Sequence, residues 1–315
     1  MFKEFDTSEL DIIPLSKRKH NLDLSIIKSL EVKKNVDPKF FSVAQNIQES
    51  KKRGASVVLM MGAHVLRSGV QRYLIDLMEN GYISCLAVNG ACIIHDFEFA
   101  LIGKTTESVE KYITQGRFGL WEEVGRINDI ISFGAANKMG AGEAIGKTIA
   151  ENPFPHREIS VFAAAYKLKI PITVHVGIGY DIVYEHPNCD GAAWGQTSYT
   201  DFLRFAHVLS NLGGGVVMNF GSAVMGPEVY LKALAMARNV KKRDGQKISN
   251  FTTLVCDLKP LPENCHLEPS KESPDYYFRP WKTMLARTIS DGGRSYYAQA
   301  SHAESIPGIW NALNT

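Results

Sequence analysis

The chain has 315 residues, of which 45% are hydrophobic and 22% are charged, and its formal net charge is +2. This composition is typical of a globular protein, and the length is sufficient for one large α/β domain or two smaller ones. So small a net charge does not favour a nucleic-acid or membrane partner, and we expect the basic clusters at 17–19, 51–53 and 241–243 to be solvated surface.

The five cysteines are odd in number and form no CxxC pair, which predicts free thiols in a reducing compartment. The first residues contain no apolar core of signal-peptide length, and no apolar run approaches ~20 residues. We therefore expect a cytoplasmic protein with no membrane-spanning segment.

Residues 1–38 are predicted to form an N-terminal arm with one short helix near 24–30, and residues 39–315 a single α/β domain. The predicted strands are 56–61, 83–88, 172–176, 215–218, 251–256 and 295–298. The predicted helices are 40–53, 68–80, 96–101, 158–168, 199–212, 227–239 and 303–313, with a helical insert at about 106–152 and a break or kink at Pro307. Alternation at this spacing favours parallel βαβ units with right-handed crossovers. The expected fold class is α/β, with a Rossmann-like, mostly parallel sheet and helices on both faces.

Four apolar runs of strand length each end in glycine beside a polar or ionisable residue, within 57–64, 85–91, 170–181 and 213–223. In a parallel sheet such breaks fall at the carboxyl ends of the strands, where these sheets bind ligands. Glycine lets the backbone approach a ligand closely and leaves N–H groups free to contact it. The pattern therefore predicts a ligand cleft.

The first break, after Gly62, places Arg67, Ser68 and Gly69 at a predicted helix start. A hydroxyl and a cation at a helix N-terminus suit a phosphate, and a tight turn with a capping serine is the alternative. The spacing matches neither GxGxxG nor a P-loop.

After the next strand, Asn89 can cap a helix or hydrogen-bond a ligand. His95 and Asp96 would face the cleft if they begin the following helix, and a plain N-cap role for Asp96 is equally open.

The segment from His175 to Gly191 is the richest in ionisable groups, since Asp181, Glu185, His186 and Asp190 follow a strand that reads as buried. Grouped carboxylates suit a cationic or polyhydroxy ligand. The same histidines and carboxylates are also ligands for divalent metals, but the segment contains no HExxH motif.

Three glycines, Gly213, Gly214 and Gly215, precede a strand, and Asn219 and Ser222 follow it. The glycines either bring the backbone against a cofactor or only form the helix-to-strand turn. The two residues at the strand exit are the better cleft candidates, because ligands bind at the carboxyl ends of strands.

The last strand ends in Gln299, Ser301 and His302, where a capping role for Ser301 is the alternative to ligand binding. The long segment 257–293 reads as either a functional lid or disorder, and its aromatic cluster favours an ordered lid or a subunit contact. Within it, Lys282 follows Trp281. A desolvated lysine has a lowered pKa and forms Schiff bases, although most lysines do not.

The order of these segments resembles deoxyhypusine synthase and its prokaryotic relatives, over roughly 56–313 and in order and spacing more than identity. The matching segments are Arg67-Ser68-Gly69, Asn89-Gly90-Ala91 with His95-Asp96, 170–181 with Gly177, Gly179 and Asp181, Gly213–Gly215, and Gln299–Ser301. Three positions depart from the family. Asn219 stands where the family has a substrate histidine, His95 replaces the first acidic residue of a pair, and Trp281 and Lys282 lack the glycine that the family has between them.

The resemblance implies a homotetrameric, NAD-dependent transferase that acts on a cationic, polyamine-like amine by hydride removal and imine transfer. It implies that Asp181, Glu185, Asp190, Asn219 and Trp281 bind the substrate, that Lys282 carries the imine, and that His175, His95 or His302 moves protons. It implies cofactor contacts from Gly62, Ser68, Gly69, Asn89, Gly90, Asp96, Gly177, Gly179, Gly213, Gly214, Gly215, Gln299 and Ala300.

Two other functions stay open at this point. The His/Asp cluster is compatible with a metal-dependent hydrolase or lyase. The departures from the family are compatible with a non-catalytic nucleotide-binding protein that kept the ligand cleft and lost the catalytic activity.

Overall fold

The computed structural model describes residues 2–32 and 36–315. Its strands are β1 (Leu22–Asp23), β2 (Val57–Met61), β3 (Cys85–Asn89), β4 (Lys104–Thr105), β5 (Ile172–His175), β6 (Val216–Phe220), β7 (Thr252–Asp257) and β8 (Arg294–Gln299). Its helices are α1 (Pro38–Arg53), α2 (His64–Arg67), α3 (Gln71–Glu79), α4 (Gly90–Ile102), α5 (Val109–Thr114), α6 (Glu122–Ala136), α7 (Ala141–Glu151), α8 (Val161–Lys167), α9 (Gly191–Leu209), α10 (Met225–Arg243) and α11 (His302–Asn314).

Six strands form a parallel sheet in the order β5-β3-β2-β6-β7-β8. Counted within this sheet, the order is 3-2-1-4-5-6, which is that of the doubly wound dinucleotide-binding fold. The chain runs outward from β2 to β5 and then returns to place β6 beside β2. The order therefore reverses between β2 and β6, and the predicted fold class is confirmed.

Both faces of the sheet are covered, which explains why its strands are apolar throughout. In β2, Val57, Leu59 and Met61 pack into one hydrophobic cluster with α4 and α11. Val58 and Met60 point the other way, into a second cluster with α10 and the end of α9. Strands buried on both faces are typical of parallel sheets.

Three predicted helix starts are wrong. The predicted helix 68–80 begins only at Gln71, because Gly69 adopts a left-handed φ of +77° in the break between α2 and α3. A Cβ on Gly69 would overlap the carbonyl oxygen of Ile26, so a contact distant in sequence sets this turn. The predicted helix 96–101 begins at Gly90 instead, and the predicted helix 199–212 begins at Gly191 with Asp190 as its N-cap.

Near 24–30 the arm contains only a three-residue 3₁₀ turn, Leu24–Ile26. Helices α5, α6 and α7 lie within 106–152, the range of the predicted helical insert. Helix α11 continues through Pro307. The long segment 257–293 includes a π-helical stretch, Pro280–Ala286, whose residues are all buried.

All five cysteines are free thiols. Within residues 2–32 and 36–315, no helix combines the length and the apolar character needed to cross a membrane.

Candidate functional site

The strand order reverses at a crevice lined by glycine. Gly62 follows β2 and Gly221 follows β6, and a Cβ added to Gly62 would lie 2.6 Å from the Gly221 carbonyl oxygen. Gly221 has a φ of +63°, and a Cβ there would overlap the ring of His302. Neither position accepts a side chain, because the two backbone segments and the His302 ring pack closely at the edge of the sheet where doubly wound folds bind their ligands.

Three buried polar atoms on segments at or after the carboxyl ends of β2, β6 and β8 have no hydrogen-bond partner among the described residues: Arg67 Nε, Asn219 Oδ1 and His302 Nδ1. The Asn219 amide nitrogen is satisfied, since it donates to the Ser222 carbonyl at 2.9 Å. Burial lowers the pKa of His302, which favours its neutral form. Buried polar groups normally have partners, so these three atoms fit a polar ligand such as a dinucleotide.

A cavity of about 400 Å³ is lined in part by Arg67 of α2, the helix that follows β2. Helix α4, the arm, the segment after β4 and the loop after β5 enclose it, and its volume suits a small metabolite. Its ionisable lining residues are Arg18, Arg67, His95, Glu98, Glu107, Asp181 and Glu185, with Gly179 and Tyr180 at the same wall.

A larger cavity of about 680 Å³ lies beside the start of β5, between α7, α8 and α9. It opens at the amino edge of the sheet and contains no residue that the sequence predicted for the site. Because ligands of this fold bind at the carboxyl edge, the smaller cavity is the better candidate.

Two carboxyl groups of the cavity, those of Asp181 and Glu185, form no ion pair with any residue that the structure describes. Asp181 lies against the start of α4, where a Cβ on Gly90 would overlap its carboxylate. Burial raises the pKa of Asp181 to about 6. Burial and then the nearby charge of Glu107 raise the pKa of Glu185 to about 7. A bound cation would favour the ionised form of both groups.

Glu107 itself is held in place by donors. Its carboxylate accepts the Trp121 indole N–H at 2.9 Å and the Gly119 amide at 3.3 Å. A fixed carboxylate beside Glu185 makes this end of the cavity acidic, as a cationic ligand requires.

His95 is in the middle of α4, not at its start. Its Nδ1 lies 2.8 Å from the Thr105 hydroxyl, which donates to Glu98 at 2.5 Å. Glu98 in turn forms a buried ion pair with Arg18 at 2.7 Å. Burial, followed by the charge of Arg67, lowers the pKa of His95 to about 3. A group with so low a pKa does not take a proton from an amine, which gives no support to the predicted role of His95 in moving protons.

Asp96 is not at a helix start either. It is buried within α4 and accepts hydrogen bonds from the Ser160 hydroxyl (2.5 Å) and the Val161 amide (2.8 Å) at the N-terminus of α8. This is a helix-capping arrangement with no access to the cavity. The predicted cofactor contact of Asp96 therefore has no geometric basis.

His175 is a core histidine. Its ring packs edge-to-face on Phe205, and its Nε2 lies 3.0 Å from the Thr173 hydroxyl. Burial lowers its pKa to about 3. It lies in the second hydrophobic cluster, on the opposite face from α4, so the structure does not bring it together with His95.

Lys282 and Trp281 also lie on that opposite face. The Lys282 ammonium sits 3.4 Å from the centre of the Tyr276 ring, and the Trp281 indole donates to the Leu267 carbonyl at 2.8 Å. Neither lines the cavity that holds Asp181. The structure separates the predicted imine carrier from the predicted amine-binding carboxylates.

Three further predictions about location are corrected. Gly213, Gly214 and Gly215 precede β6 and lie at the amino edge of the sheet, a strand length away from Gly62. Asp190 is exposed and caps α9 by accepting the Ala192 amide at 2.8 Å, outside the cavity. The hydroxyl of Ser68 donates to the Val65 carbonyl at 2.6 Å at the end of α2, not at a helix start.

Other predicted residues do lie at the carboxyl edge. Asn89 and Gly90 join β3 to α4, Gly177 and Gly179 follow β5, and Gln299 and Ala300 end β8. The Asn89 side chain accepts the Cys92 thiol at 3.2 Å and does not cap α4. Contact of these residues with a cofactor stays a prediction.

The metal hypothesis finds no support in the side-chain geometry. Within the described ranges, no group of three or more His, Cys, Asp or Glu residues could hold a metal ion. His186 is buried, with its Nε2 3.1 Å from the Gly119 carbonyl, which is a structural contact.

Sequence reasoning missed Arg18, Thr105, Glu98 and Glu107. Arg18 belongs to a basic cluster predicted to be solvated, yet its side chain is only 1% exposed because it pairs with Glu98. Thr105 lies in the two-residue strand β4, which pairs with β1 of the arm. A strand of two residues has no sequence signature, and no local pattern could have brought these residues together.

A family model described as "Arginine dihydrolase ArgZ-like, C-terminal, Rossmann fold" matches residues 41–152. This match covers a little over a third of the chain, from α1 to α7. No curated protein sequence matches the chain.

Solved structures share the fold at low identity. AgrE, in its ternary complex with ornithine and NAD+, matches with a TM-score of 0.50 and 13% identity over 88% of this chain and 32% of its own. A protein assigned to the LOR/SDH type from Methanococcus maripaludis S2 matches with a TM-score of 0.52 and 15% identity over 90% of this chain and 71% of its own. This chain therefore spans about a third of the length of AgrE. At these identities the likeness establishes a Rossmann-type fold.

The specific resemblance to deoxyhypusine synthase is not confirmed. A structure provisionally identified as that enzyme, from Entamoeba histolytica, has a TM-score of 0.41 and 11% identity over 88% of this chain and 87% of its own. This score is too low to carry an argument.

Proposed function

We propose that this chain is an NAD-dependent enzyme that acts on a small cationic amine. The observation that carries the proposal is the position of Asp181 and Glu185, two carboxyl groups that form no ion pair with the described residues. They lie in a cavity whose lining includes Arg67 of α2, the helix that follows β2. The strand order, the ArgZ-like family match and the AgrE complex with ornithine and NAD+ support it.

For the cofactor, the carboxyl ends of β6 and β8 supply the unpaired polar atoms Asn219 Oδ1 and His302 Nδ1. When bound, NAD supplies a hydride acceptor. The residues of the chain would hold it across the point where the strand order reverses.

For the substrate, we propose an amino acid that carries a second amino group. Asp181 and Glu185 would bind its ammonium, and the Arg67 guanidinium would bind its carboxylate, since guanidinium matches carboxylate geometry. Arg67 lies beside His64, with Nη1 3.2 Å from His64 Nε2. The structure of AgrE with ornithine is compatible with this class of ligand.

An ammonium must lose a proton before its carbon can give up a hydride. Glu185, with a pKa raised to about 7, is the best-matched acceptor because proton transfer is most efficient when the pKa is near the working pH. The pKa of Asp181, raised to about 6, is lower than that of Glu185, so Asp181 would stay ionised and bind the ammonium of the substrate. Transfer of the imine to a second amine stays an implication of the resemblance, and the proposal assigns no step to Lys282.

The test is calorimetric titration of NAD, and then of L-ornithine, L-norvaline and 1,4-diaminobutane into the NAD complex, followed by NADH formation. We expect L-ornithine to bind best. L-norvaline lacks the side-chain ammonium that Asp181 would bind, and 1,4-diaminobutane lacks the carboxylate that Arg67 would bind. Arg67→Gln should therefore abolish the preference for L-ornithine over 1,4-diaminobutane.

Gly62→Ala should abolish NAD binding, because its Cβ would meet the Gly221 carbonyl oxygen. Gly195→Ala is the matched control, since a Cβ there has no neighbour within 4 Å. If no dinucleotide binds, the proposal fails. Tight NAD binding without turnover of any amine would favour the non-catalytic nucleotide-binding protein, and stoichiometric zinc or manganese would favour the metal-dependent hydrolase.

We also propose, from the resemblance alone, that the protein is a homotetramer. Light scattering on the eluate of a size-exclusion column measures the molar mass directly, and a mass near 34.9 kDa would rule the tetramer out.

A further inference from the structure

We infer that His95 is a fixed hydrogen-bond acceptor that recognises an N–H of the cavity's ligand through Nε2, and that Thr105 and Glu98 are positioning residues that set its tautomer. The identity of the ligand as a cationic amine rests on the proposed function. The assignment of the tautomer does not rest on the proposed function, and the tautomer can be measured on the protein without a ligand.

The tautomer follows from counting hydrogens along the chain of contacts. Both Glu98 carboxylate oxygens act as acceptors, since Oε1 accepts from Arg18 at 2.7 Å and Oε2 accepts from Thr105. The Thr105 hydroxyl has one hydrogen, which it donates to Glu98 at 2.5 Å. The contact between His95 Nδ1 and Thr105 at 2.8 Å therefore requires Nδ1 to be the donor. A neutral imidazole carries one N–H, so Nε2 is an acceptor.

Nε2 is available to a ligand. His95 lines the cavity, and its Nε2 makes no hydrogen bond to any residue that the structure describes. Burial, followed by the charges of Arg67, Arg18 and His64, lowers the pKa of His95 to about 3, so its ring is neutral. The groups that face it are Arg67 and His64 from α2, Arg18 from the arm, Glu98 from its own helix, Glu107 after β4, and Asp181 and Glu185 after β5.

Neutral His95 adds a third acceptor to Asp181 and Glu185. A primary ammonium has three N–H donors and can use all three acceptors, whereas a trimethylated ammonium keeps the charge and has no N–H. His95 would therefore select primary amines over methylated ones, beyond what two carboxylates achieve by charge alone.

His175 is an internal reference with the opposite tautomer. Its Nε2 contacts Thr173 at 3.0 Å, and the Thr173 hydroxyl donates to the Leu86 carbonyl at 3.2 Å. The same count of hydrogens makes Nε2 the protonated nitrogen of His175. Two buried neutral histidines of one chain are thus expected to give opposite patterns in one spectrum.

The first test is a long-range ¹H–¹⁵N spectrum of the imidazole rings in the free protein, with His95→Gln to assign the His95 signals. We expect a protonated Nδ1 for His95 and a protonated Nε2 for His175. In Glu98→Gln, the glutamine amide can donate to Thr105, whose hydrogen then turns to His95 and moves the ring proton to Nε2. A protonated Nε2 in the wild type, or an unchanged tautomer in Glu98→Gln, overturns the inference.

The second test is the affinity of the NAD complex for L-ornithine. Glu98→Gln should weaken it by about tenfold or more, the effect of losing one hydrogen bond to a charged group. Thr105→Ser, which keeps the hydroxyl, should retain both the tautomer of His95 and the affinity for L-ornithine. Thr173→Val should also leave the tautomer of His95 and the affinity for L-ornithine unchanged. Equal affinity of Glu98→Gln and wild type for L-ornithine would overturn the recognition role. If wild type binds no L-ornithine, the proposed function fails, and the spectrum still decides the tautomer.

Discussion

Asp181→Asn should weaken the binding of L-ornithine to the NAD complex and change its dependence on pH. In the wild type, burial raises the pKa of Asp181 to about 6, and burial with Glu107 raises that of Glu185 to about 7. Each carboxyl group must lose its proton to bind an ammonium. Affinity should therefore rise with pH and level off above about pH 7.

The slopes follow from the number of protons displaced. Between about pH 6 and 7, where only Glu185 still holds a proton, affinity should change about tenfold per pH unit. Below about pH 6, where Asp181 is also protonated, it should change about a hundredfold per unit. In Asp181→Asn the steeper range disappears, and the slope stays near tenfold per unit down to the lowest pH measured.

The size of the loss at pH 8 follows from the lost charged hydrogen bond, worth about 1.5–3 kcal/mol. This corresponds to a loss of affinity of about 10- to 150-fold. Asp190→Asn is the matched control. Asp190 is an exposed N-cap outside the cavity, and asparagine caps a helix about as well as aspartate, so neither affinity nor slope should change.

Calorimetric titration between pH 5 and 8 at constant ionic strength measures both quantities. Constant ionic strength is needed because exposed charges are screened by salt. An Asp181→Asn protein with the wild-type affinity at pH 8 and the wild-type slope below pH 6 would refute the assignment of Asp181 to the ammonium.

Three further predictions concern stability, each measured by urea unfolding. Burial raises the pKa of Asp201 to about 7, so the folded state keeps a proton that the unfolded chain loses near pH 4, and wild-type stability falls as pH rises from about 4 to 7. Asp201→Asn should remove that fall and be more stable than wild type at pH 8 by up to about 4 kcal/mol. Equal pH profiles of stability for the variant and the wild type would contradict this prediction. Gly195→Ala, at an exposed position within α9, should stabilise the protein by about 1 kcal/mol, whereas a loss of stability would show that the position is crowded. Asp96→Ala should cost about 2–3 kcal/mol because it leaves Ser160 and the Val161 amide buried without an acceptor, and a neutral result would mean that water replaces the carboxylate.

The sheet was predictable because its signal is local. Each parallel strand is a short run of apolar residues, as in VVLMM of β2, and each is followed by a helical pattern. The right-handed crossover rule then leaves few possible arrangements. The glycines at the ends of β2 and β6 predicted the carboxyl-edge crevice for the same reason.

Helix starts were less predictable where packing overrides local preference. Both Asn89 and Asp96 are possible capping residues, and the predicted start at Asp96 left the two adjacent isoleucines, Ile93 and Ile94, outside the helix. Burial of one side of α4 in the first hydrophobic cluster extends the helix back to Gly90, and Asp96 caps a different helix, α8. Asp96 is a capping residue as predicted, but it caps α8, which lies about 65 residues further along the chain.

The chemistry of the cavity was only half predictable. Asp181 and Glu185 stand close together in a conspicuous cluster, and the structure brings both to the cavity. His175, His186 and Asp190 belong to the same cluster in the sequence, yet packing and capping account for all three. A dense run of ionisable residues therefore indicated a loop that lines the cavity, without separating the residues that reach the cavity from those that pack or cap.

The N-terminal arm completes the site, although nothing in its own sequence indicates a ligand. Arg18 comes from the arm and donates to Glu98, and β1 holds β4 in place, so that Thr105 lies between Glu98 and His95. Without Arg18, Glu98 would lose the contact that fixes it as an acceptor toward Thr105. A reversal of the Thr105 hydrogen toward His95 would then give the same tautomer as that expected for Glu98→Gln. The tautomer of His95, and with it the choice between accepting and donating in the cavity, thus depends on a charge 77 residues away in the sequence.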